Sequence, residues 1–147
     1  MSTESPTQPP AGADYVSAEL YTRIQQFYAD QMALMDHGDA EAWAATFTED
    51  AVFPAGVTSR AGRADSARAH AEKLVLEKAD LRHWLGMLDV RPQPDGTLRT
   101  RAYVLTARTV RGEELRITAS VVCRDHLVEE GGRWKVVERT LRRDGTV

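Results

Sequence analysis

Apolar residues at Leu20, Ile24, Phe27, Tyr28, Met32 and Met35 recur three and four positions apart, which lines them up along one side of a helix. The pattern predicts a helix over Ser17 to Met35, with Ser17 as N-cap, Glu19 near its positive end and Gly38 as the stop. Asp39 can cap a second, short helix through Ala40, Trp43 and Phe47 that ends around Thr48-Glu49-Asp50. Ala51-Val52-Phe53 is long enough only for a small strand, and Pro54 to Gly62 reads as loop from its Gly and Pro content. A third helix is expected over Ala64 to Ala79, with Leu74 and Val75 inward and Arg68, Glu72, Lys73 and Lys78 outward.

From Leu81 onward the period of the pattern changes to two. Strand-like runs cover roughly 82 to 91, 98 to 110, 114 to 128 and 133 to 142, separated by turn-forming segments at 92–96, 111–113 and 130–132. These are three successive hairpins. Long antiparallel strands that follow three one-sided helices make an α+β domain in which the helices cover one face of a strongly curved sheet, and the space between the layers is the default binding pocket. Met1 to Asp14 is rich in Ser, Thr, Pro and Gly without an apolar anchor, so it is expected as a disordered tail ahead of a single domain over 15–147.

Composition narrows the function classes. A chain of 147 residues with 42% hydrophobic content suits one compact domain. The net charge of -3 comes from mixed charges with no basic stripe, which argues against nucleic-acid and membrane-surface partners and leaves small uncharged or apolar molecules open as ligands. Cys123 is alone, which excludes an internal disulfide framework, and no Cys/His pair stands at metal-binding spacing, so no metal is expected. No apolar run approaches the roughly 18 residues of a membrane span, and the N-terminus lacks signal-peptide order. The chain reads as soluble and cytoplasmic.

Asp36 then stands out. It falls on or beside the apolar stripe where the first helix ends, and an unpaired carboxylate aimed at a core is costly. The chain order offers a partner. A helix ending in Asp36-x-Gly-Asp39, then Trp43, Phe-Thr-Glu-Asp-Ala-Val-Phe (47–53), Arg82-His83-Trp84-Leu85-Gly86 and Gly-Arg-Trp-Lys-Val-Val-Glu-Arg (132–139) resembles the nuclear transport factor 2-like superfamily. Within it, the resemblance is to SnoaL-like polyketide cyclases and scytalone-dehydratase-like proteins of antibiotic and other secondary metabolism. It implies a cone formed by a curved sheet and three helices around an apolar cavity, and a cofactor-independent lyase or isomerase. In scytalone dehydratase and a bile acid dehydratase, a helix-end Asp and a His that opens the first long strand form the acid/base pair, and Asp36 and His83 match those positions. Gln31 and Thr106 stand where the bile acid enzyme has a Tyr and an Asp, and Ala55 stands where ketosteroid isomerases keep a catalytic Asp.

The resemblance therefore implies catalysis by His83 oriented through Asp36, since a carboxylate on one imidazole nitrogen fixes the tautomer and frees the other. Glu138 shares a face with Trp134 and Val136 by strand alternation, where it would assist the acid/base step or pair with a neighbouring arginine. Tyr28 could orient a substrate oxygen through its hydroxyl, Trp84 could wall the pocket, and Arg143 could close its mouth. His37, His70 and His126 read as surface or structural, and Cys123 has no neighbour to activate it. Dehydration and ring closure both fit. The alternatives are an epoxide-opening ether-ring cyclase, in which Glu138 matters more, and a non-catalytic module like the small subunit of a ring-hydroxylating dioxygenase. A homodimer is the expected assembly, because an open sheet face is usually covered by a second copy.

Overall fold

The computed structural model describes residues 16–53, 56–57 and 59–146. The expected tail over 1–14 and the comparison at Ala55 lie outside the described residues. Helix α1 (Ala18–Asp36) starts where the Ser17 hydroxyl accepts the Leu20 N–H at 3.1 Å, and buries Ile24, Tyr28 and Gln31. Helix α2 (Ala40–Ala44) is capped by the Asp39 carboxylate, which accepts from Ala42 N. It is shorter than its apolar spacing suggests. The Thr46 hydroxyl donates to the Trp43 carbonyl at 2.6 Å, and the Thr46 carbonyl accepts from Val136 N at 3.0 Å. The chain is thus taken into the sheet, and Phe47 to Asp50 belong to strand β1 (Phe47–Phe53) instead of a helix end.

Strand β2 (Gly56–Val57) pairs antiparallel with β1 inside the segment expected to be loop. Helix α3 (Arg60–Leu76) begins earlier than expected because the Ser59 hydroxyl accepts from Gly62 N, and it ends earlier too. Its buried face is Arg63, Ala64 and Ala67, with Leu74 half-buried; Val75 is 78% exposed, a correction to its inward assignment. Arg63 donates to the Thr48 carbonyl at 2.7 Å and lies over the Phe47 ring, which ties α3 to β1.

Four long strands follow: β3 (Ala79–Pro92), β4 (Leu98–Val110), β5 (Arg116–Glu130) and β6 (Arg133–Arg143). They form the three expected hairpins. The six-stranded sheet has the order β2-β1-β6-β5-β4-β3, with β1 parallel to β6, so it is mixed and not wholly antiparallel. The helices cover its concave face. Ile24, Phe47, Leu98, Leu127 and Val136 are at most 1% exposed and form the centre of the core.

Beside that apolar centre lies a buried polar network. Arg139 donates to both carboxylate oxygens of Asp125, each at 2.8 Å, and from Nη2 also to Gln31 Oε1 at 2.7 Å. Tyr28 Oη donates to Asp125 Oδ2 at 2.7 Å and shares a 2.6 Å hydrogen bond with the Thr100 hydroxyl, while Gln31 Nε2 donates to Thr46 Oγ1. Burial alone would pull the Arg139 pKa down, but the facing Asp125 carboxylate raises it above its ordinary value, so the guanidinium stays charged. Breaking such a pair leaves one buried charge alone. Arg139→Ala is expected to lower folding stability by about 3–5 kcal/mol, measured by urea unfolding. A loss under about 1 kcal/mol would mean that water or a rearranged side chain replaces the guanidinium.

Candidate active site

Strand β3 is an edge of the sheet, so some of its backbone N–H groups lack a strand partner. Asp36, the last residue of α1, answers one of them. Its Oδ2 accepts the His83 backbone N–H at 3.1 Å, and its Oδ1 lies 2.6 Å from His83 Nδ1. One carboxylate therefore clamps both the backbone and the ring of the same residue. Both side chains are largely sequestered, with 9% of Asp36 and 17% of His83 exposed. A carboxylate on Nδ1 favours the tautomer with the proton there, which leaves Nε2 as an acceptor.

The chain reaches this point through a tight corner. Gly38 has φ 76°, a left-handed conformation, and a Cβ there would come within 3.1 Å of the Ala71 side chain on α3. Glycine is thus needed for both the turn and the close approach of α3, and Asp36 is held immediately before that corner.

Two open spaces meet at His83. A groove of about 740 Å³ runs between α1 and the edge strand, with Ala29, Met32, Leu85 and Leu88 among its apolar walls and Asp36 and His83 at one end. A recess of about 360 Å³ lies between α3 and the concave face of the sheet, walled by Met35, Leu74 and Leu81, with Lys73, Glu77, Thr106 and Arg108 among its polar groups. Both volumes lie within the usual range for small-molecule sites. Thr106 is directly opposite His83 on β4. Arg108 and Lys73 are both ion-paired to Glu77 at the end of α3.

Of the residues singled out in the sequence, Asp36 and His83 are brought together, and Trp84, 69% exposed, borders the groove. Tyr28 also borders it, but its hydroxyl is already engaged by Asp125 and Thr100, so the ring and not the hydroxyl is what it offers a ligand. Burial, followed by the Asp125 charge, pushes the Tyr28 pKa well above its ordinary value and keeps it neutral. Glu138 does not reach the site. In β6, Val136 faces Leu127 and Glu138 faces His126, so Val137 is an extra residue, a β-bulge. One extra residue reverses the alternation, so that Arg139 points inward to Asp125 and Glu138 turns to the convex face. Arg143 is also absent from the groove and the recess; it is exposed at the end of β6 and donates to the Thr118 carbonyl at 2.8 Å. The buried pairing of Asp125 with Arg139 is what the sequence reading missed, because strict alternation hides the bulge.

The architecture, three helices on the concave face of a curved sheet with a helix-end acid beneath the edge strand, is that of the nuclear transport factor 2-like fold. The chain belongs to the SnoaL-like domain family, which it matches over residues 16–140. It is similar to Aln2 from a Streptomyces species, with 34% identity, 89% of this chain and 95% of that one covered, and a TM-score of 0.82. It is also similar to ActVI-ORFA from Streptomyces coelicolor, with 25% identity, 89% and 99% covered, and a TM-score of 0.81. An NTF2-like protein with a cystatin-like fold from Novosphingobium aromaticivorans, at 24% identity, 88% and 85% covered, and a TM-score of 0.73, shares the fold. No protein of curated function matches the chain. Among the described residues no cluster of His, Cys, Asp and Glu fit to hold a metal is present, and no helix is long and apolar enough to cross a membrane.

Cys123 is buried beside Asp125, and burial pushes its thiol up to about 12. It is therefore expected to resist iodoacetamide in the native protein near about pH 8 and to react on unfolding, read by mass spectrometry. Rapid native labelling would contradict this environment. The unfolded thiol ionises near about 8.5, so between there and about 12 the folded state binds the extra proton and stability falls as pH rises. Cys123→Ala should remove that part of the alkaline slope in unfolding curves.

Proposed function

We propose that this protein is a cofactor-independent cyclase or dehydratase, a lyase or isomerase that works by general acid/base catalysis on an apolar, polyketide-like or aromatic intermediate of secondary metabolism. His83 moves the proton and Asp36 orients it. The observation that carries this reading is the double engagement of His83 by one carboxylate, at 2.6 Å to the ring and 3.1 Å to the backbone, beside two spaces of ligand size. Membership of the SnoaL-like family agrees with it.

In dehydration, Nε2 of His83 takes a proton from carbon next to a carbonyl, and the imidazolium returns it to the departing hydroxyl, which leaves as water. In ring closure, the same proton comes from the internal nucleophile and is delivered to the carbonyl oxygen that becomes a hydroxyl. Asp36, hydrogen-bonded to Nδ1, stabilises the imidazolium in both steps. Epoxide opening is less favoured, because Glu138, the acid it relied on, turns to the convex face. We place the working enzyme in the cytoplasm as a homodimer.

The test is incubation with aromatic polyketide intermediates followed by mass spectrometry. Loss of one water identifies a dehydratase, and unchanged mass with a new ring identifies a cyclase. His83→Ala is expected to lower turnover by about 100- to 10,000-fold, and Asp36→Asn to lower kcat with the fold retained. Full activity in either variant sinks the dyad, and no turnover of any intermediate by the unaltered protein favours a binding module.

A further inference from the structure

The convex face breaks a rule of sheet design. Two consecutive rows of outward side chains run across β3, β4, β5 and β6: Asp89–Arg101–Arg124–Thr140 and Arg91–Arg99–His126–Glu138. Arg91 is directly opposite Arg99, and Arg101 directly opposite Arg124. Like charges at that cross-strand distance repel, and such pairs are ordinarily avoided. Here two of them are stacked in adjacent rows.

The carboxylates nearby do not account for this arrangement. Asp89 accepts from Arg91 Nε at 3.0 and 3.1 Å, and Asp125, on the opposite face of the sheet, is neutralised by Arg139. Glu138 stands at the far end of the second row, opposite His126, whose Nε2 is held 2.8 Å from the Thr97 hydroxyl. The rows therefore hold four arginines against two carboxylates on a chain whose net charge is -3. The rows border a recess of about 410 Å³, whose lining comprises the four arginines and His126 together with Asp89, Asp125 and Glu138. Asp89 compensates Arg91 and the Tyr103 ring lies 5.8 Å from the Arg101 guanidinium, but no carboxylate hydrogen-bonds Arg99, Arg101 or Arg124 among the hydrogen bonds seen, and local rules broken at one place mark functional positions.

We infer that this recess binds a compact phosphoryl anion, phosphate or pyrophosphate, through Arg99, Arg101 and Arg124. Guanidiniums present planar pairs of donors suited to phosphate oxygens, and an anion between the rows sets three attractions against the two repulsions. The site lies across the sheet from Asp36 and His83 and does not depend on their chemistry. The phosphoryl group is either free or carried as an ester on a small molecule.

Thermal unfolding of the full chain at low ionic strength tests this, with inorganic phosphate, inorganic pyrophosphate and glycerol phosphate as separate additions and chloride at matched ionic strength as control. A saturable rise of about 5 °C at about tenfold above Kd is expected for at least one of the three. The larger response, to an inorganic anion or to the ester, tells a free anion from a carried one. Arg124→Gln and, independently, Arg99→Gln should cut the rise by at least half. Without anion the same variants should unfold no earlier than the unaltered protein, since each removes a repulsion; a residue with only a structural role would give an earlier transition. A response equal to that of chloride, or one retained in both variants, overturns the proposal. So does a dimer, seen by sedimentation, that dissociates in both variants, because a second copy would then occupy the face.

Discussion

The Arg139–Asp125 pair is the constraint from which the rest of the structure follows. It sits between β5 and β6 with both side chains at most 6% exposed, and Asp125 also accepts from Tyr28 while Arg139 reaches Gln31. Tyr28 and Gln31 lie on α1 within about two and a half turns of Asp36. The same ion pair that satisfies the sheet interior therefore fixes the rotation and the axial position of the helix that carries Asp36. An apolar contact would tolerate small slippage. A bidentate charged contact with a third and a fourth partner does not, and the 2.6 Å distance from Asp36 to His83 requires that precision.

His83, the fifth residue of β3, was singled out only through the family resemblance. Asp36 was legible from pattern alone, because it ends a periodic stripe at the boundary of an element. The hairpins at Gly96, Gly112 and Gly131-Gly132 were legible for the same reason: each of these residues has positive φ. Illegible features depend on pairing between distant segments. Phe47 lies at helical spacing from Trp43 and the two rings do meet, 4.9 Å apart and edge to face, yet the backbone there is strand because β6 accepts it as a parallel neighbour. Arg63 was invisible as a core residue because its place is set by the Thr48 carbonyl and the Phe47 ring, which lie on another element. Glu138 and Arg139 were exchanged because alternation was carried through a bulge that no turn residue announces.

The edge strand beside α1 links fold and chemistry. An unpaired N–H on an edge invites another strand, and a protein covers or blunts such positions. Here the covering group is Asp36, so protection of the sheet edge and orientation of the imidazole are one interaction. Helix α3 approaches the same corner so closely that a Cβ at Gly38 would press against the Ala71 side chain. The acid is fixed in place from the helix, the strand and the turn.

The bulge at Val137 gives the pairing of β6 a meaning that its composition does not carry. Flattening it with no residue lost would leave every side chain in the strand chemically unchanged yet set Val137 opposite His126, turn Glu138 inward beside the Asp125 carboxylate and send Arg139 to solvent. The core would then hold two like charges in place of an ion pair. One unpaired residue, and not the charge pattern of the strand, thus decides which of two neighbouring ionisable groups belongs to the interior.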